Sequence, residues 1–140
     1  MTALNRSGSH SPSLWTINSQ SIEKYWDQIE PLMKSIDKWS HGKYFAEDMK
    51  KYLMDCDMQL WVAGDFQAIG VTQINEFPRQ KVCTVVFMAG KNMDEWLMLH
   101  EEVVKWAKDI GCDVIEAYCR RGWQKLFNWD PIHTVLRKVL

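Results

Sequence analysis

Apolar positions along the chain change their period several times, and each change predicts an element. Leu14–Ile17 is a short candidate strand. Ile22, Tyr25, Trp26, Ile29, Met33 and Ile36 then recur at helical spacing, with Asn18, Ser19 or Ser21 available to cap the start. Pro31 predicts a kink or a break into two pieces, because its ring removes a donor and crowds the preceding turn. Gly42 separates a second helix over residues 45–54, whose apolar face is Phe45, Met49, Tyr52 and Leu53. Three strands come next. Residues 58–63 end at Gly64-Asp65, a tight hairpin signal, and residues 67–77 are closed by Pro78-Arg79-Gln80. Residues 81–88 are so apolar that a largely buried strand is predicted.

The segment Ala89-Gly90-Lys91-Asn92 turns the chain into its strongest helical pattern. Met93, Trp96, Leu97, His100, Val103, Val104, Ala107 and Ile110 form the stripe, and Gly111 stands where a helix C-cap belongs. Residues 112–118 predict another strand, and residues 122–129 a short helix that stops before Pro131. Residues 132–140 alternate as a final strand. The order β-α-α-β-β-β-α-β-α-β predicts an α+β fold: a mixed sheet with helices on both faces. It occupies a single domain, residues 14–140, after a Ser- and Gly-rich tail (residues 1–13) expected to be flexible.

With 140 residues the chain can bury a core of its own. A net charge of −1 sets up no field toward nucleic acid or an anionic membrane. No apolar run approaches the roughly 20 residues that span a bilayer. The first residues also lack the cationic and apolar pattern of a signal peptide. A cytoplasmic setting, or one inside a virion, is expected. Eight Trp and eight Met point to an irregular core or an adhesive surface. Cys56, Cys83, Cys112 and Cys119 show no CxxC spacing and sit beside apolar elements, so buried free thiols are expected. His41, His100 and His133 lack helical i, i+4 pairing, which argues against a metal site.

The stretch EEVVKWAKDIGCDVIEAYC resembles the long central helix, helix-ending glycine and following strand of the GCN5-related N-acetyltransferase (GNAT) superfamily. The element order agrees with that superfamily over residues 14–140. RRGWQKLFNW followed by HTVLRKVL is similar to the ending of small GNAT-like proteins encoded by tailed phages and prophages. The resemblance implies a gap between strands 81–88 and 112–118 that receives pantetheine. It also implies a loop similar to Q/R-x-x-G-x-G/A whose backbone N–H groups hold the pyrophosphate of acetyl-CoA. The matching positions are Val86 and Met88 on the strand, then Ala89, Gly90, Lys91, Asn92 and Met93 in the loop. One glycine is present there. Asp94 and Glu95 fall in the first helical turn, where they satisfy the dipole themselves and oppose a phosphate. Lys91 offsets one of those charges, and Asn92 suits the N-cap of an ordinary helix.

The superfamily's frequent general acid is a tyrosine in the short helix near the end. No tyrosine lies between Arg120 and Trp129; Gln124 or Lys125 stands nearby, and Tyr118 precedes the helix. Glu76 and Glu116 are candidate bases for deprotonating an amine, provided burial raises them; on half-exposed strands both are expected to face solvent. His100, on the apolar stripe, is expected to be a hydrogen-bonded core histidine. Arg120, Arg121, Trp123 and Lys125 form a basic and aromatic cluster suited to packing or a partner more than to nucleic acid. The expectation is a GNAT-like protein of phage type with a degenerate acetyl-CoA loop. Its role would be binding or virion assembly, through a protein partner or self-association and without a cofactor. The alternative is an active acetyl-CoA-dependent N-acetyltransferase acting on a primary amine.

Overall fold

The computed structural model describes residues 13–92 and 96–140. Five strands, β1 (Leu14–Ile17), β2 (Gln59–Ala63), β3 (Ala68–Glu76), β4 (Lys81–Gly90) and β5 (Val114–Ala117), form one sheet in sequence order. The first three pairings are antiparallel and β4–β5 is parallel. Hairpin turns can join only antiparallel neighbours, whereas a helical crossover returns the chain in the same direction. The helices bounded at both ends among the described residues follow the expected order: α1 (Ile22–Met33), α2 (Ile36–Trp39), α3 (Ala46–Met54), α4 (His100–Asp109) and α5 (Trp123–Phe127). Short 3-10 turns occupy Ser19–Ser21 and Leu97–Leu99. Pro31 is exposed and α1 continues past it to Met33; the break falls at Lys34 and Ser35.

Strand alternation divides the interior into two unequal halves. On one face Leu60, Val62, Ile69, Val71 and Phe87 meet Ile22, Ile29, Met33, Ile36, Met49 and Leu53 in a continuous core. Full burial of each such side chain contributes about 1.5–3 kcal/mol. On the other face Trp61 meets Trp106 of α4 edge-on, with ring centroids 5.2 Å apart. The Trp61 indole N–H donates to Thr72 Oγ1 at 3.0 Å, and the Thr72 hydroxyl donates to Gln59 Oε1 at 2.8 Å. This hydroxyl is buried yet fully used, so it costs the core little.

The second face is thinner than the helical stripe predicts. Ala107 is buried, but Trp96, His100 and Val104 are only half-buried, and Ile110 is exposed. Trp96 is helical, a 3-10 turn then interrupts the helix at Leu97–Leu99, and α4 runs on from His100 with Leu99 as its N-cap. Met93 and the side chain of Leu97 lie outside the described residues, as does the tail up to residue 12.

Two further expectations are corrected. Residues 132–140 form no strand: Ile132, Val135, Leu136, Val139 and Leu140 are all exposed, and no strand among the described residues pairs with them. Arg137 ties this segment to the rest, its Nη2 donating to His41 O at 3.0 Å. Cys56 is an exposed thiol in a left-handed turn (φ 65) after α3, whereas Cys83 is buried and Cys112 and Cys119 are half-buried. All four are free.

The two faces predict different sensitivities. Val71→Asp places an unpaired charge in the fully buried face and should cost about 4 kcal/mol or more, abolishing a cooperative thermal transition. Val104→Asp, on the half-buried face, should lower the melting temperature but leave that transition intact. Equal losses would show that the two halves of the core carry equal weight.

Burial, and then the neighbouring Cys112, push the Cys83 thiol up to about 12 from an ordinary 9.0. Its protonated form is therefore favoured in the folded chain. The stability it contributes is complete below pH 9 and is lost as pH rises from there toward 12, because only the unfolded chain ionises early. Urea midpoints measured upward from pH 8 should fall above pH 9, and less steeply in Cys83→Ala. An identical slope in the variant would assign the loss to other groups.

Candidate functional site

The site is a place where two strands part. β4 pairs with β5 from Val82–Val114 to Val85–Ala117, and Tyr118 N–H donates to Val85 O at 3.0 Å as the last tie. β4 then continues to Gly90 against β3 alone. At the parting point the β3–β4 register steps from Thr72–Val85 to Val71–Phe87, leaving Val86 as an extra residue. Such a bulge bends its strand and sharpens the local twist. It also brings consecutive Val86 and Phe87 into the same core cluster, which strict alternation forbids. Beyond Val85, the outer edge of β4 faces an open gap with no strand beside it among the described residues.

The expected cofactor positions line this gap unevenly. Val86 is buried in the core, Ala89 packs against that core, and Met88 points into an apolar slot of about 70 Å³ shared with Trp61, Trp96, His100 and Trp129. Gly90 pairs with Ala68 at φ 152. A Cβ there would collide with the Ala68 Cβ and come within 2.6 Å of Gln67 O. This glycine is therefore required by the close approach of β3. Lys91 N–H is donated to Gln67 O at 3.0 Å, and Lys91 O accepts from the Trp96 indole N–H at 2.7 Å. Asn92 is left-handed (φ 55), unlike the extended N-cap expected of it. Met93, Asp94 and Glu95 lie outside the described residues.

Among the described residues of this loop, Gly90 and the Lys91 N–H are already engaged within the chain. A phosphate cradle needs backbone donors left open to the ligand. Here the hairpin with β3 takes the Lys91 N–H, and packing against Ala68 takes the freedom of Gly90.

On the opposite side of the sheet, aromatic groups gather around the mouth of the gap. Ile115 lines the apolar slot, so alternation turns Glu116 and Tyr118 to the face of α1–α3. Glu116 is half-buried and Tyr118 exposed. Tyr44 and Tyr52 pack edge-on at 5.8 Å. Burial raises the Tyr44 phenol, and the nearby Tyr52 and Tyr118 raise it further. The Arg120 guanidinium lies 6.0 Å from the Trp39 ring centroid, within cation–π reach. Trp39, Tyr44 and Tyr52 were not among the sequence candidates. They come from different elements, and no spacing along the chain connects them to Tyr118.

Glu76 stands apart from this group. It is exposed at the far end of β3, in register with Lys81, while the gap opens toward Gly90. His100 packs against Phe127 and Trp129, at centroid distances of 4.9 and 5.7 Å, with Nε2 3.6 Å from Glu101 Oε2. Trp123 packs on Phe127, and Arg121 and Lys125 are exposed. Burial raises the thiols of Cys83, Cys112 and Cys119, which keeps them protonated and poor as nucleophiles. No group of His, Cys, Asp and Glu among the described residues is arranged to hold a metal ion. No described helix is long and apolar enough to cross a membrane.

Compared by sequence, the chain matches no family model and no curated protein. Compared by structure, it is similar to an aminoglycoside acetyltransferase from an uncultured soil metagenomic sample, crystallised with sisomicin. That likeness has a TM-score of 0.65 at 10% identity and covers 93% of this chain and 97% of the other. The ribosomal-protein-alanine N-acetyltransferase of Brucella melitensis biovar Abortus gives a TM-score of 0.64 at 12% identity, covering 91% and 99%. A GCN5-related N-acetyltransferase of Ralstonia eutropha gives 0.59 at 11%, covering 91% and 98%. The five-stranded mixed sheet and its helices thus match the GNAT acetyltransferase fold.

Proposed function

We propose that this chain is a GNAT-fold binding protein whose acetyl-CoA loop no longer serves catalysis. The observation that carries the reading is the closed phosphate end of the gap. Gly90 is fixed by Ala68, the Lys91 N–H is spent on Gln67, and Trp96 locks the Lys91 carbonyl. Asp94 and Glu95 add two negative charges directly after this loop in the sequence. A negative charge near a helix start opposes an anion there by about 0.3–1 kcal/mol. Every backbone contact to phosphate that is not made forgoes about 1.5–3 kcal/mol. Together these losses amount to several orders of magnitude in affinity.

Fold alone does not confer chemistry. Tyr118 stands where β4 and β5 part, with Glu116 before it on β5, and Tyr44 and Tyr52 lie close by. Such an aromatic and cationic rim suits a protein surface, since Tyr and Arg anchor interfaces. The phage-like ending of the sequence supports virion assembly as the setting, with a protein as the partner.

Titration calorimetry with acetyl-CoA at low salt tests the reading. The unmodified chain should give no saturable heat in the micromolar range. The double variant Asp94→Asn, Glu95→Gln should gain at most weak binding, because the missing N–H contacts remain missing. Micromolar binding by the unmodified chain, weakened by Lys91→Ala, would overturn the proposal and make the chain an acetyl-CoA-dependent N-acyltransferase.

A further inference from the structure

A hollow lies on the β1 side of the sheet, with β3 and β4 between it and the gap. It measures about 250 Å³ and sits where β1 ends and β2 begins. A cavity of about 150 Å³ already holds benzene, so this one has room for an aromatic ring and a polar substituent. Part of its lining is apolar. Met58 and Leu60 are buried there, beside the edge-on pair of Trp61 and Trp106, whose rings suit another ring. The rest is Thr16, Asn18, Ser19, Cys56 and Gln59, polar groups without charge, and no charged side chain lines the cavity among the described residues. An ion entering it would give up water with no opposite charge in return, which restricts the occupant to uncharged molecules.

Hydrogen bonding then selects the substituent. The Trp61 indole N–H donates to Thr72 Oγ1, and the Thr72 hydroxyl passes its own proton to Gln59 Oε1. That relay engages the oxygen of the Gln59 carboxamide and leaves its N–H groups unspent among the described residues. Asn18 is in a like state, because its Oδ1 accepts from the Ser21 N–H at 3.0 Å as a helix cap. Two carboxamides therefore line the cavity with their acceptors engaged and their donors open. Open donors call for an acceptor on the ligand.

We propose that this cavity is a binding site for a small uncharged aromatic molecule carrying a carbonyl group. Its ring packs against Trp61 and Trp106, and its carbonyl oxygen accepts from Gln59 Nε2. The site uses none of the loop at residues 89–92, so the proposal holds whether or not acetyl-CoA binds.

Nitrogen-edited NMR of the full chain titrated with acetophenone tests it. The Trp106 indole N–H signal should shift saturably in the millimolar range. That of Trp96, which lines the slot beside Met88 and not this cavity, should stay in place. Benzoate, of the same shape but charged, should move neither. Cys56, the exposed thiol of the lining, should react more slowly with iodoacetamide when acetophenone is present. Gln59→Glu keeps the oxygen that Thr72 uses and turns the donor end into an acceptor, so binding should weaken about tenfold or more. Thr16→Trp fills the cavity from its exposed rim and should abolish the shift while the melting temperature holds. No saturable shift, a response centred on Trp96, equal binding of benzoate, or full affinity in Gln59→Glu would each overturn the proposal.

Discussion

Strand β4 has to satisfy two partners over its first half and one over its second. Between Lys81 and Val85 it is held on both sides, and from Val86 onward β3 alone holds it. The extra residue at Val86 makes this possible: it turns β4 away from β5 while Phe87 stays packed in the main core. Everything placed around the gap depends on that bend. Without it, β5 would continue alongside β4, and Tyr118 and Arg120 could not turn toward Tyr44 and Trp39.

The same strand also separates the shape of a gap from the chemistry of its lining. A gap between strands is maintained by packing, through Val86, Phe87 and Ala89, and packing is indifferent to what enters the gap. A phosphate cradle depends instead on donors left unpaired, which is unfavourable unless a ligand is present. Extending the β3–β4 ladder to Gly90 and Lys91 satisfies those donors internally. The shape and the chemistry of such a site are therefore separable.

Most of the architecture was legible in the sequence because local signals agreed with the final pairing. The hairpin at Gly64-Asp65, the turn after Pro78, and the glycine ending the crossover helix fixed the order and direction of three pairings. Three things escaped. Residues 132–140 have the period of a strand, but a strand exists only if another backbone lies beside it. The stripe from Met93 to Ile110 promised one long buried helix, yet burial depends on what covers it, and α5 is short. The aromatic group at the gap's mouth joins Trp39, Tyr44, Tyr52 and Tyr118 across loops and helices, so only tertiary structure brings it together. For the candidate site, the sequence indicated the loop and its single glycine. That Gly90 is held by Ala68 was invisible, because it follows from two strands meeting in three dimensions.

The strand order also bears on how the chain folds. β2, β3 and β4 are joined by short turns at residues 64–67 and 77–80, so each closes at small entropic cost. β1 reaches β2 only after α1, α2 and α3 are in place, and β5 reaches β4 only across the crossover helix. The two edge strands carry the expensive long-range closures, and such contacts form slowly. On this account the central meander is the early template and β5 docks late, an order that pulsed hydrogen exchange would read in the protection of β3 before β5. The bulge at Val86 is then set while one flank of β4 is still bare, so the late strand meets a template already bent away from it.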